Sequence, residues 1–297
     1  MRFTRGFVVS VIVAIVLIVA IAYIFYPQRR ETGKEPIKRE QRPLLKGIPY
    51  QPPERSEKEA PSLLEKQKII KKVVIIIDDI GYDLFTLNEL LEIDAPITFA
   101  VLPHLPHSVD AAHILHREGR EIILHLPMEP QNYPEKNPGS GALFLRMSEE
   151  EIRQQVEDDL DAVPYIIGVN NHMGSRFMED RTKLAIVFEQ IRERGLFFVD
   201  SQTTPYSKGR ELAEEMELRF AARDIFIDNA QDYKATLRIL MDLMKKRSSK
   251  KRGPFILSGH PHATTIRALQ EALPLMKARG VEIIPVSDLF EITGEEP

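Results

Sequence analysis

Val73-Val74-Ile75-Ile76-Ile77-Asp78-Asp79-Ile80-Gly81-Tyr82 sets five β-branched apolar residues directly before two adjacent carboxylates. An unbroken Val/Ile run suits a strand buried on both faces, as in a parallel sheet. Two acids at the end of such a strand are costly unless paired or metal-bound. Neighbouring strand residues point opposite ways, so both carboxylates reach one site only through a turn, which Gly81 permits. The competing reading makes them a helix cap plus a surface acid.

Outward from this stretch the pattern repeats. Short apolar runs at 73–77, 97–102, 121–124, 166–170, 196–199, 221–227, 255–258 and 281–285 alternate with helical stretches at 84–91, 109–118, 149–162, 183–194, 211–216, 230–246 and 264–278. Ser148 before Glu149-Glu150-Glu151 signals a capping box, and Asp180 a second cap. Gly119, Gly195 and Gly280 fall where helices should stop. The alternation predicts an α/β fold over residues 71–297, with parallel strands, helices packed outside, and seven or eight units that suggest a closed or nearly closed (β/α) barrel. Functional groups in such barrels stand at the C-terminal ends of strands.

Arg2 and Arg5 precede an uncharged apolar run from residue 7 to about residue 26. About 20 such residues match the bilayer core as a helix. Residues 1–26 are therefore expected to be a single transmembrane helix in the inner membrane, with the remainder facing the periplasm or cell exterior. Cleavage near Ala20-Ile21-Ala22 would instead release a secreted protein. Residues 27–70, charged and broken by proline, read as a flexible linker.

Composition narrows the function. Of 297 residues, 43% are hydrophobic and 28% charged, the ordinary globular balance. A net charge of −4 gives no concentrated basic surface for nucleic acid, so no nucleic-acid partner is expected. The absence of cysteine excludes disulfides, thiolate metal sites and a cysteine nucleophile. With no tryptophan, stacking against a sugar falls to Tyr, Phe or His.

The chemically capable residues follow the strands. His125 comes after 121–124, and Asn170-Asn171-His172-Met173-Gly174-Ser175 ends the fourth run. Asp200 closes the fifth, and Ser258-Gly259-His260-Pro261-His262 the seventh. One aspartate and two histidines can hold a divalent ion, zinc above all, and leave room for water and substrate. Such an ion acidifies water, and a neighbouring carboxylate takes the proton. His260 is placed to protonate a leaving group, and Asp200 to hold an imidazole in one tautomer. Asn171, Ser175, Arg176 and His262 are candidate substrate contacts or supports, and Arg176 is equally placed to pair with Glu179. His113 and His116, on an outer helix, are discounted as ligands. One of His104 and His107 is expected near the mouth, and 131–145 reads as a polar loop over it.

Taken together these segments resemble the divergent polysaccharide deacetylase family, related to the NodB-type carbohydrate esterases. The matching stretches are Ile75-Ile76-Ile77-Asp78-Asp79-Ile80-Gly81, Ile97-Thr98-Phe99-Ala100-Val101-Leu102-Pro103, His125-Leu126-Pro127-Met128-Glu129 and Pro138-Gly139. Gly168-Val169-Asn170-Asn171-His172-Met173-Gly174-Ser175, Phe198-Val199-Asp200-Ser201 and Gly259-His260-Pro261 complete the set. The resemblance implies an irregular seven-stranded barrel, a glycan substrate and removal of acetyl groups. It implies Asp78 as base, Asp79 as metal ligand and His260 as the late histidine that assists the leaving group. The esterases take both histidine ligands from one His-x-x-x-His motif. No such motif follows the third strand here, so the imidazoles would come from His125 and His172 on different strands. A non-catalytic envelope module that binds glycan or protein is the alternative. A metal-dependent phosphoesterase is a third reading, which would want more acidic ligands or a second metal.

Overall fold

The computed structural model describes residues 71–245 and 253–291, so the expected anchor at 1–26 and linker at 27–70 lie outside the described residues. Among the described residues no helix is long and apolar enough to cross a membrane.

The opening stretch forms β1 (Lys71–Ile80) at the middle of the sheet. Then come α1 (Leu84–Leu91), β2 (Thr98–Val101), α2 (Ser108–Arg117), β3 (Ile122–Met128), α3 (Glu149–Ala162), β4 (Ile166–Met173), α4 (Arg181–Glu193), β5 (Phe197–Asp200) and α5 (Gly209–Glu215). The chain continues through β6 (Phe220–Ala222), β7 (Ile225–Phe226), α6 (Tyr233–Lys245), β8 (Phe255–Gly259), α7 (Ala263–Ala278), β9 (Val281–Ile283) and α8 (Asp288–Glu291). All strand pairs are parallel, in the order β6-β5-β4-β3-β2-β1-β8-β7, with β9 beside the start of β1. The Arg223 amide donates to Asp200 O (2.9 Å), and the next amide, Asp224, donates to Ile256 O (2.8 Å). One run of chain thus joins the two ends of the curled sheet. The single strand expected at 221–227 is split there into β6 and β7.

Alternation along each strand sorts two cores. Val74, Ile76, Ala100, Ile123, Phe197, Val199 and Ile256 fill the inside of the curl. Val73, Ile75, Ile77, Leu124, Leu126, Val169 and Leu257 face outward beneath the helices. Burial of each such Val, Ile or Leu side chain contributes about 1.5–3 kcal/mol, and both faces are apolar because both are covered. A Cβ at Gly168 would overlap the Phe197 ring, so glycine makes room for the interior aromatic. At the N-terminal end, Phe290 of α8 stacks on Phe197 at 4.5 Å and closes the floor. The C-terminal strand ends stay open.

The capping box forms as expected. Ser148 Oγ accepts from the Glu151 amide (3.2 Å), and Glu151 Oε2 accepts from the Ser148 amide (2.7 Å). Asp180 caps α4 through the Lys183 amide (2.9 Å). The loop at 131–145 is less polar than its sequence suggests. Ala142 and Leu143 are buried, and Leu143 bridges to Met128.

Beneath that loop lies Asp159 of α3, fully buried, with its Oδ1 2.7 Å from His104 Nε2 and 3.0 Å from Gln155 Nε2. Gly141 passes so close that a Cβ there would collide with the Asp159 carboxyl. Burial pushes this carboxyl up to about 8, against the hydrogen bond from Gln155, while the charge of Asp158 adds to the rise. The folded state therefore holds a proton that the unfolded chain releases near 3.8. That contribution is complete below pH 3.8 and is lost as pH rises through about 8. Melting temperature should thus decline across this window, and Asp159→Asn, which keeps a neutral polar group, should flatten the decline. Thermal unfolding of both forms from pH 4 to 9 checks it, and equal slopes would refute it.

Candidate metal centre

The bulge in β1 decides the site. Asp78 follows Val74 and Ile76 inward, so Asp79 by alternation should point outward with Ile75 and Ile77. Register slips between Ile77 and Ile80, and Asp79 adopts φ 58°, the left-handed region. Aspartate tolerates that region better than most residues. The turn expected from Gly81 therefore begins at Asp79 itself, which swings its carboxylate back over the interior.

There it meets two imidazoles. Asp79 Oδ1 lies 3.2 Å from His125 Nε2 and 2.9 Å from His172 Nδ1, and those nitrogens are 3.2 Å apart. His125 and His172 stand inside β3 and β4, with interior parity, rather than in the turns beyond them. Burial opposes ionisation of Asp79, but the contacts with His125 and His172 outweigh it and hold the carboxyl well below the usual range. Asp79 Oδ1 is buried yet completes no hydrogen bond of acceptable geometry. An orphaned carboxylate oxygen among two converging imidazole nitrogens fits a divalent cation.

Behind these ligands, His125 Nδ1 meets Asn170 Oδ1 at 2.7 Å, and Asn170 Nδ2 donates to Asp78 Oδ1 at 2.7 Å. Asp78 Oδ1 is also 3.7 Å from His125 Nδ1. Burial works against a charged His125, yet Asp78 and Asp79 raise its pKa overall. On the open side, His260 Nε2 stands 3.6 Å from Asp79 Oδ2. Its backbone amide donates to Asp228 Oδ2 (2.6 Å), and its Nδ1 lies 3.3 Å from Asp228 Oδ1. Burial disfavours the imidazolium, but Asp228 foremost, then Asp79 and Asp78, raise the His260 pKa. A cavity of about 240 Å³ opens here, lined by Asp79, Tyr82, Asp83, Thr86, His260 and His262 among others.

Other expected contributors sit elsewhere. Asp200 holds no imidazole. Its oxygens accept from the Gln202 amide (2.7 Å), Gln202 Nε2 (2.9 Å) and Ser207 Oγ (2.6 Å), shaping the loop after β5. Asn171, on the opposite parity from His172, accepts from the Ser201 amide (2.8 Å) and donates to Met173 O (2.8 Å). Ser175 Oγ accepts from the Gln131 amide (3.0 Å). Arg176 pairs with buried Glu129 (2.7 Å), not with Glu179. His104 is committed to Asp159, and His113 and His116 pack against Tyr165 on the outer surface. Three contributors were not singled out from the sequence. Asn170 shares strand parity with His172, and Asp228 follows β7 as Asp79 follows Ile77. Arg223, at the seam between β6 and β7, is the third; its charge bears on Asp78, Asp200 and Asp228 while burial lowers its own pKa.

A curled, half-barrel parallel α/β sheet thus gathers an Asp-His-His cluster at its C-terminal mouth, a donor set that could hold a metal ion. The sequence model of the divergent polysaccharide deacetylases matches residues 75–290, and the chain belongs to that family. The uncharacterized protein YibQ of Escherichia coli (strain K12) is 33% identical over 205 residues, covering 67% of this chain and 61% of that protein. The chain thus spans under two thirds of that relative. An uncharacterized protein of Haemophilus influenzae is 31% identical over 202 residues, covering 68% of this chain and 71% of its own length. Among solved structures, uncharacterized protein ATU2773 from Agrobacterium tumefaciens superposes with a TM-score of 0.69 at 25% identity, covering 74% of this chain and 89% of that one.

Proposed function

We propose that the chain is a metal-dependent hydrolase that removes acetyl groups from an envelope polysaccharide or related glycan. The observation that carries this reading is the convergence of Asp79 Oδ1, His125 Nε2 and His172 Nδ1 within 3.2 Å, with His260 on the other oxygen of the same carboxylate. Asp79, His125 and His172 would hold the ion, and zinc suits this nitrogen and oxygen set. When bound, such an ion supplies Lewis acidity toward an acyl carbonyl and acidifies water. Asp78 is the candidate proton acceptor: Asn170 fixes one of its oxygens, and the other has no hydrogen-bond partner among the described residues. His260, oriented by Asp228, is placed to give a proton to the departing nitrogen or oxygen. The open mouth beside them would admit the glycan. The apolar run before residue 27 supports a location at the inner membrane, facing the periplasm.

The test is release of acetate from acetylated chito-oligosaccharides and peptidoglycan fragments by the full-length protein supplied with zinc. Acetate that disappears in Asp78→Asn supports the hydrolase. Saturable glycan binding without acetate would replace it with a binding module, and phosphate released from phosphate esters with a phosphoesterase.

A further inference from the structure

His260 and His262 flank Pro261 in the turn between β8 and α7, and only His260 has an evident task. Asp228, 2% exposed, already serves it through both oxygens, and Asp228 Oδ2 takes a second donor, Thr265 Oγ1, at 2.8 Å. The His262 imidazole makes no side-chain hydrogen bond among the described residues. It occupies the N-cap position of α7 without capping it. Its ring centroid is nevertheless 5.6 Å from that of His260. One donor atom each from Asp228, His260 and His262 lie within 4.8 Å of one another. His260 and His262 border the cavity that Asp79 also lines, and Asp228 lies buried behind His260.

A hydrogen-bonded His–Asp pair needs no second imidazole. A carboxylate oxygen and two imidazole nitrogens converging beside an open cavity make a donor set for a borderline-soft divalent ion. We infer a second, weaker divalent-cation site formed by Asp228, His260 and His262, next to the Asp79 centre. It is weaker because Asp228 Oδ2 is already occupied by two donors and His260 must surrender its contact with Asp228 Oδ1. An ion there engages His260, which then carries no proton to a leaving group. Excess metal therefore inhibits the enzyme, a consequence that rests on the hydrolase reading, although the site itself does not.

The experiment strips metal from the full-length protein and titrates zinc by equilibrium dialysis, counting bound zinc by mass spectrometry. The wild type should bind about two ions per chain in two classes, the second at least about tenfold weaker. His262→Ser should lose the weak class and keep the strong one. Serine is chosen because it can cap α7, so the fold is retained. His125→Ala should do the reverse. A single class in the wild type, or a weak class that survives His262→Ser, overturns the site. Acetate release is followed in parallel: excess zinc should suppress it in the wild type and not in His262→Ser. Two binding classes with no acetate from any form would sink the hydrolase reading and leave the site standing. One class, with acetate release untouched by excess zinc, would do the opposite.

Discussion

Replacing His125 by alanine should weaken tight zinc binding by well over about 100-fold, because a ligand costs more than the supporting contacts, which are typically worth 10- to 100-fold. His125 is 2% exposed, and its Nδ1 is fixed on Asn170 Oδ1, so that nitrogen carries the hydrogen and the Nε2 lone pair is left for an ion held jointly with Asp79 and His172. The effect should be graded by parity along β4. Asn170→Ala frees the ring and should cost about 10- to 100-fold. Asn171→Ala loosens the loop after β5 and should leave zinc affinity within about threefold. Competition against a chromophoric chelator measures all three, with thermal unfolding of the apo forms as a control for folding. Equal losses from Asn170→Ala and Asn171→Ala would show that strand parity does not build this centre.

The same parity explains what could be read from the sequence. Apolar runs and intervening helices carried the curled parallel sheet, because its central strands are buried on both faces and each helix on one. His125 and His172 were legible because acids and imidazoles recur at the ends of several strands, a pattern that no one of them carries alone. Asp79 was identified as a ligand through the family resemblance, and a turn was expected to bring it in, but that turn was assigned to Gly81 and not to Asp79 itself. Alternation alone sends it outward, and a left-handed residue within a bulge has no sequence signature beyond the aspartate itself. Asn171 and Asp200 illustrate the opposite case. Each stands at a strand end beside an interior position, Asn170 and Val199, and parity turns its side chain away from the mouth where the strand-end rule had put it. Asp228 obeys the strand-end rule but follows a run read as one continuous strand. The real chain crosses there from one end of the sheet to the other, and β7 has only two residues. Arg176 depended on Glu129, whose burial arises from the folded loop after β3 and not from any local pattern.

Asp228→Asn should lower kcat on an acetylated amino sugar by about 100-fold or more while leaving KM and the tightly bound zinc of the Asp79 centre nearly unchanged. The argument is geometric. Asp228 touches the backbone amide and Nδ1 of His260 together, and Thr265 steadies the carboxylate from α7. Asparagine keeps the size but removes the charge that supports the imidazolium and fixes the ring. An amine leaving group needs a proton before the C–N bond can break, so a misaligned or neutral His260 falls on that step. An aryl acetate has a leaving group stable as an anion and makes no such demand. Comparing the two substrates therefore separates acid catalysis from general damage. Asp228→Asn should lose its activity on the amide and retain most of its activity on the aryl ester, within about tenfold of wild type. Equal loss on both would mean that Asp228 only supports the turn carrying His260, and would assign the leaving-group proton to some other donor at the mouth.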